Sequence, residues 1–94
     1  MSPIYVALDL ETTGLNSSKD EIIEVGAVRF DGERELDVFS SMVNPGRRIP
    51  PKIVDLTGIT DRDVVTAPPF SALRSKLAQF VGDAPIVGHN VRFD

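Results

Sequence analysis

Two acidic residues, separated by a single residue, stand near the start of the chain at the end of an apolar run. Asp9 and Glu11 follow the apolar residues 4–8 and precede a Thr-Thr-Gly sequence. Because side chains on a strand alternate between its faces, both carboxylates would project to the same side. Adjacent carboxylates repel each other, and oxygen ligands of this kind suit Mg²⁺ or Mn²⁺. The pattern indicates a divalent-metal site, and a solvated strand end before a glycine turn is the alternative for so short a motif.

A second polar cluster closes the chain. His89 and Asn90 follow an apolar segment, and Asp94 comes four residues after Asn90. A strand that ends here would bring a third carboxylate towards the first two. Taken alone, His89 is more typical of a structural histidine than of a catalytic one, Phe93 is typical of a core residue, and Asp94 of a charge at a helix N-terminus.

Composition limits the classes of protein to consider. The chain has 94 residues, 41% of them apolar, no Cys and a formal net charge of -4. This length fits one small domain, and the absence of Cys excludes a disulfide scaffold and Cys-based zinc sites. The acidic balance argues against a module that holds nucleic acid by charge alone. It is compatible with a metal enzyme acting on nucleic acid, since its carboxylates add to the acidic count.

The N-terminus predicts neither a signal peptide nor a membrane span. It has no basic segment, and Asp9 ends its apolar run after five residues. We therefore expect no membrane association and a cytoplasmic location.

Three segments predict a meander of strands. Residues 4–10 form the first, residues 22–28 read as a central strand, and residues 34–43 return after an Asp31-Gly32 hairpin signal. A polar loop is expected over residues 16–20. The third strand carries its apolar residues on one face: Leu36, Val38 and Met42.

Short helices are predicted next. Pro50-Pro51 would open one that Gly58 closes, and Thr60 with Asp63 has the form of a capping box. Residues 70–81 show helical spacing of apolar side chains, with Gly82 at the C-terminus. A fourth strand follows at residues 84–88. The pattern predicts an α/β domain with a mixed sheet: three antiparallel strands, then a crossover helix to a fourth strand.

Taken together, the segments resemble the DnaQ-like (DEDD-type) 3′–5′ exonucleases, which have a ribonuclease H-like fold. Four matches occur in the order and spacing of that family, and the resemblance covers the whole chain. They are residues 9–15 and 89–94 (the first two exonuclease motifs), residues 22–28 (the second-strand signature) and residues 56–60 (a Gly-Ile loop).

The resemblance implies a role for each matching residue. Asp9, Glu11 and Asp94 would be catalytic and would bind two divalent metal ions, Mg²⁺ or Mn²⁺, across the scissile phosphate. The other implied positions are substrate-binding: Thr12, Thr13, Gly14 and Leu15 at the 3′-terminal nucleotide, and His89, Asn90 and Phe93 along the single-strand groove. For residues 57–60 the resemblance leaves open a substrate-side role or a loop that only caps the next helix.

The resemblance also implies missing parts. The family has a third motif that carries a general-base His or Tyr and a fourth metal-binding Asp, and neither follows Asp94 here. We therefore expect residues 1–94 to be the N-terminal part of one exonuclease domain, without its C-terminal part and inactive by itself.

The implied function is hydrolysis at the 3′ end of single-stranded DNA, releasing nucleoside monophosphates, in replication or repair. An RNA-directed 3′ exoribonuclease of the same family and an inert fragment are the alternatives. The parent most resembles the exonuclease domain of DinG-type helicase-like proteins, or polymerase III epsilon-type and Gram-positive polymerase III proofreading exonucleases. Its expected partners are therefore a polymerase or a fused helicase-like domain.

Overall fold

The computed structural model describes residues 3–14 and 20–89 of the chain. The strands within these ranges are β1 (Ile4–Thr12), β2 (Ile22–Asp31), β3 (Arg34–Met42) and β4 (Ile86–His89). The helices lie between β3 and β4 and are α1 (Pro51–Thr57), α2 (Asp61–Val64) and α3 (Phe70–Val81). No helix in the described ranges combines the length and apolarity needed to cross a membrane.

The four strands form one mixed sheet in the order β3-β2-β1-β4. β1, β2 and β3 are antiparallel neighbours, and β4 lies parallel to β1 with Val6 paired to Ile86 and Asp9 paired to His89. A parallel neighbour requires a crossover connection, which the helical segment provides. The predicted architecture, including the central position of β2, is confirmed.

One face of the sheet, here called the core face, carries the main hydrophobic core. Alternate residues of β1 and β2 are buried there, and α3 packs across them with Leu73 and Leu77. Phe39 of β3 extends this core and contacts Phe80 of α3, with ring centroids 5.8 Å apart. The buried sheet residues of this core are Val6, Leu8, Leu10, Ile22, Val25 and Ala27.

A second cluster fixes α1 and α2 beside the end of the sheet. Ile23 of β2 is buried against Ile49, Ile59 and Val64. Local chemistry sets the helix ends as predicted, because Gly58 adopts the left-handed conformation (φ 76°) and Thr60 forms a capping box with Asp63. α1 therefore stands at a defined position next to the C-terminal end of β1.

All four strands have limits that differ from the prediction: β2 ends at Asp31 rather than at residue 28, and β3 ends at Met42 rather than at residue 43. β1 continues through Glu11 and Thr12, because those residues pair with β2. The two residues of the β2–β3 turn are Gly32 and Glu33, one position later than expected, since Asp31 still pairs with Arg34.

β4 starts at Ile86 rather than at Ala84. The Ala84 N–H donates to the Val81 carbonyl and extends the turn after α3, and Pro85 has no N–H to offer a neighbouring strand. The predicted polar loop falls largely on residues outside the described ranges.

Candidate active site

The two predicted acidic residues lie on the face of β1 that α3 does not cover. Leu8 and Leu10 are 2% and 0% exposed, whereas Asp9 is exposed and Glu11 is half-buried. The strict alternation of β1 thus separates core residues from carboxylates. We call the second side of the sheet the open face.

The register of the sheet adds a third carboxylate. β2 pairs Glu24 with Glu11 and Gly26 with Asp9, and directly opposed residues of antiparallel strands share a face. Sequence reasoning did not assign Glu24 to the site. The available signal was a lone acidic residue within an otherwise apolar central strand, but the residue opposite it is known only once the register is known.

The electrostatics of this carboxylate group are unfavourable without a cation. Burial raises the pKa of Glu24 above its ordinary value, and the negative charges of Glu11 and Asp9 raise it further. A bound divalent cation would relieve this repulsion. Carboxylate oxygens are also the donors that Mg²⁺ and Mn²⁺ prefer, so the residue types fit such ions.

The described residues do not by themselves form a site for a metal ion. No group of three His, Cys, Asp or Glu side chains in residues 3–14 and 20–89 is arranged to hold a metal ion. The third predicted ligand, Asp94, lies outside the described residues, as do Leu15, Asn90 and Phe93. β4 brings the backbone of His89 alongside Asp9, and the His89 side chain is also outside the description.

The Thr-Thr-Gly bend that follows β1 is held by its own side chains. Thr12 and Thr13 are 7% and 2% exposed. The Thr12 hydroxyl donates to the Gly14 carbonyl, and the Thr13 N–H donates to the Glu21 carbonyl at 2.8 Å. The bend is thus a fixed structure tied to the start of β2.

A cleft of about 570 Å³ separates this bend from α1. Glu11 stands at the cleft, and Lys52 is the only cationic residue that lines it within the described part of the chain. Leu56 projects from α1 with 73% of its surface exposed. The remaining lining residues are Thr12, Thr13, Gly14, Pro50, Ile53 and Thr57.

Within residues 57–60, one residue lies at the cleft and another caps the next helix, so each of the two interpretations fits part of the segment. Thr57 lines the cleft, and its hydroxyl donates to the Ile53 carbonyl at 2.8 Å. Ile59 is buried, and Thr60 caps α2. Only the first residue of the segment therefore faces the candidate site. The contribution of α1 as a whole was missed, because no sequence pattern shows which helix face borders a distant strand end.

Beyond the carboxylates, the open face is apolar. A shallow depression of about 420 Å³ lies over the centre of the sheet next to Asp9, and Val38 and Val87 are 51% and 50% exposed there. The predicted apolar side of β3 belongs to this face, since Val38 pairs with Val28 and Met42 with Glu24.

Comparison with protein families gives a match over nearly the whole chain. Residues 6–94 match the RNase_T family model, which is described as "Exonuclease". The match includes the first and second motifs that the sequence analysis identified.

Curated relatives of this chain are bacterial proteins named as DNA polymerase III. It is 43% identical over 90 residues to the PolC-type DNA polymerase III of Clostridium perfringens, covering 96% of this chain and 6% of that protein. It is 40% identical over 90 residues to the DNA polymerase III subunit epsilon of Treponema pallidum, covering 96% of this chain and 42% of the subunit. The chain thus spans less than half of either relative.

Solved structures of exonuclease I share the fold. A product-bound exonuclease I superposes with a TM-score of 0.82 at 24% identity, covering 100% of this chain and 24% of the other. Escherichia coli exonuclease I in complex with a dA16 oligonucleotide gives a TM-score of 0.80 at 22% identity, covering 94% and 21%. At these identities the likeness establishes the ribonuclease H-like fold.

Proposed function

Since the chain belongs to the DnaQ-like 3′–5′ exonuclease family, we propose that it supplies the carboxylate edge and substrate cleft of an exonuclease that shortens single-stranded DNA from its 3′ end. The observation that supports this most directly is the position of Glu11. Its side chain belongs to the carboxylate group of the open face and also lines the cleft beside α1. A substrate in the cleft would therefore lie against the reactive group.

The proposed metal ligands are Asp9, Glu11 and Asp94. Two divalent ions bound there would activate the attacking water and stabilise the leaving oxygen. Asp9 and Glu11 contribute negative charge from a rigid strand, fixed by the buried Leu8 and Leu10 between and beside them. Because they lie on one face of β1, both carboxylates are on the side of the sheet where the proposed ions would bind.

The proposed nucleotide site is the cleft between the Thr-Thr-Gly bend and α1. The Thr-Thr-Gly bend forms the more polar wall, and Ile53 and Leu56 offer apolar surface on the other. A nucleotide has a polar sugar-phosphate and a flat apolar base, so the two walls suit its two parts. Leu15, His89, Asn90 and Phe93 would extend this contact along the strand, with the ring of Phe93 stacking on a base.

DNA is the proposed substrate because the curated relatives are named as parts of DNA polymerases. Release of nucleoside monophosphates beside a polymerase would serve proofreading or repair. The same relatives favour a polymerase partner over a fused helicase-like domain.

The test compares two variants of the complete protein on 3′-labelled single-stranded oligonucleotides with Mn²⁺. Asp94→Asn should abolish turnover and leave strand binding within a few-fold of wild type. It removes the charge that would hold one ion and spares the substrate contacts, and losing several kcal/mol at that ion costs many powers of ten in rate. Phe93→Ala should show the opposite balance, weakening strand capture by about 1–3 kcal/mol while chemistry persists at saturating substrate.

The same assay separates the alternatives. Matched DNA and RNA oligonucleotides, run side by side, distinguish a DNA exonuclease from an exoribonuclease. Turnover of Asp94→Asn near the wild-type rate would show that the two-metal proposal is wrong.

A further inference from the structure

Asp20 lies two residues before the start of β2, and the proposed chemistry does not use it. Its carboxylate lies against Gly14, on the bend that forms one wall of the cleft. Asp20 itself does not line the cleft. Any influence on a bound nucleotide must therefore pass through the bend.

Thr13 connects Asp20 to the bend. The Thr13 hydroxyl donates to Asp20 Oδ1 at 3.0 Å and accepts the Glu21 N–H at 2.9 Å. Since Thr13 is 2% exposed, its hydroxyl depends on these protein partners rather than on water. Loss of the Asp20 carboxylate would leave a buried donor without its acceptor.

Gly14 shows how closely the carboxylate approaches. A Cβ added to Gly14 would lie 2.5 Å from Asp20 Oδ2 and 2.7 Å from Asp20 Cγ, well inside van der Waals contact. Gly14 is not among the glycines with positive φ in the described residues, so its backbone conformation is open to other residues. A side chain at position 14 would therefore displace the Asp20 carboxylate from its place against the bend.

We infer that Asp20 is a positioning residue of the nucleotide cleft, holding the Thr12–Gly14 backbone in place through Thr13 and by direct packing on Gly14. The inference rests on the proposed function, because the bend matters only if the cleft binds the terminal nucleotide. It assigns Asp20 no contact with substrate or metal.

The first test uses Asp20→Ala and Asp20→Asn in the complete protein, with Asp83→Ala as the matched control. Asp83 is an exposed residue of the turn before β4. Asp20→Ala should raise KM for a single-stranded oligonucleotide by about ten- to a hundredfold with little change in kcat, since a displaced binding group of this kind carries effects of that size. Asp20→Asn should restore most of the loss, because an amide oxygen still accepts the Thr13 hydroxyl. Mn²⁺ affinity should be unchanged in all three variants.

The second test is a double-mutant cycle with Gly14→Ala. Alone, Gly14→Ala should impair binding because the new methyl group collides with the Asp20 carboxylate. In the Asp20→Ala background the space is vacant, so the same substitution should cost nothing further. If Asp20 had a purely structural role, Asp20→Ala would lower the thermal midpoint of unfolding, and the effects of Asp20→Ala and Gly14→Ala on KM would not be coupled.

Three results would overturn the inference: an unchanged KM in Asp20→Ala, no rescue by Asp20→Asn, or equal damage by Gly14→Ala with and without Asp20. If the wild-type protein cleaves no oligonucleotide, the exonuclease proposal fails separately. Binding of a fluorescent oligodeoxythymidine to wild type and Asp20→Ala then still decides the role of Asp20, and equal affinities would overturn it.

Discussion

The core face and the open face of the sheet are built from alternate residues of the same strands, yet they have opposite properties. On the core face, Leu8 and Leu10 are almost fully buried beneath α3. On the open face, Asp9 is exposed and Val38 and Val87 are half exposed. A shift of the β1 register by one residue would turn Leu8 and Leu10 to the open face and Asp9 and Glu11 to the core face. One face therefore stabilises the domain, and the other carries the carboxylates for which we propose metal binding.

The largest expected effect on stability lies on the core face. Leu10→Ala should lower the free energy of unfolding by about 2–5 kcal/mol, because it removes a fully buried side chain and leaves a cavity. Chemical denaturation measures this directly. Leu56→Ala is the matched control, since Leu56 is 73% exposed on α1 and should change stability by no more than about 0.5 kcal/mol. Equal losses in the two variants would contradict the division between the faces.

A smaller effect should appear in self-association. The apolar centre of the open face favours contact between copies of the chain, and Val38→Lys places a charge in it. Sedimentation velocity should show less association in Val38→Lys than in wild type. Val65→Lys serves as control, because Val65 is 65% exposed at the end of α2 and outside the sheet. A wild-type chain that is monomeric at high concentration would remove the basis of this prediction.

The smallest effect concerns pH. The pKa of Glu24 is raised above 4.5 by burial and by Glu11 and Asp9. Between 4.5 and the raised value, the folded state holds more protons than the unfolded state, so stability should fall as pH rises through that window. Glu24→Gln should flatten this dependence and stabilise the protein at neutral pH, as followed by thermal unfolding without metal.

Asp63 should affect the pH dependence of stability in the opposite direction to Glu24, in the same thermal unfolding experiment. Hydrogen bonds from the Thr60 backbone and side chain lower the pKa of Asp63 below 3.8. Its stabilising contribution is therefore present above 3.8 and is lost as pH falls through the lowered value. Asp63→Asn should remove this acid sensitivity and leave the Glu24 window intact.

A steeper rather than flatter profile in Glu24→Gln would show that the carboxylates of the open face do not repel one another.

Features governed by local chemistry could be predicted from the sequence. The left-handed Gly58, the Thr60–Asp63 capping box and the helical spacing of α3 each depend on residues within a few positions of one another. The mixed sheet also followed, since the strands and the helical crossover leave few possible arrangements.

Features that depend on the pairing of strands could not be predicted from the sequence. The continuation of β1 through Glu11 and Thr12 depends on hydrogen bonds to β2, and the proximity of Glu24 to Glu11 depends on the register. The cleft required α1 to be placed next to a strand end some forty positions away in sequence. Asp9 and Glu11 were identifiable because they belong to one short motif, whereas Lys52, Leu56 and Asp20 become part of the site only through the fold.

We propose that Asp9 and Glu11 form a divalent-metal site on the open face. Isothermal titration of the chain with Mn²⁺ tests it most directly, with Asp9→Ala compared against Asp83→Ala. Wild type and Asp83→Ala should bind Mn²⁺ weakly but measurably, and Asp9→Ala should lose most of that binding because one of the two β1 carboxylates of the proposed site is gone. Unchanged Mn²⁺ affinity in Asp9→Ala would contradict the account.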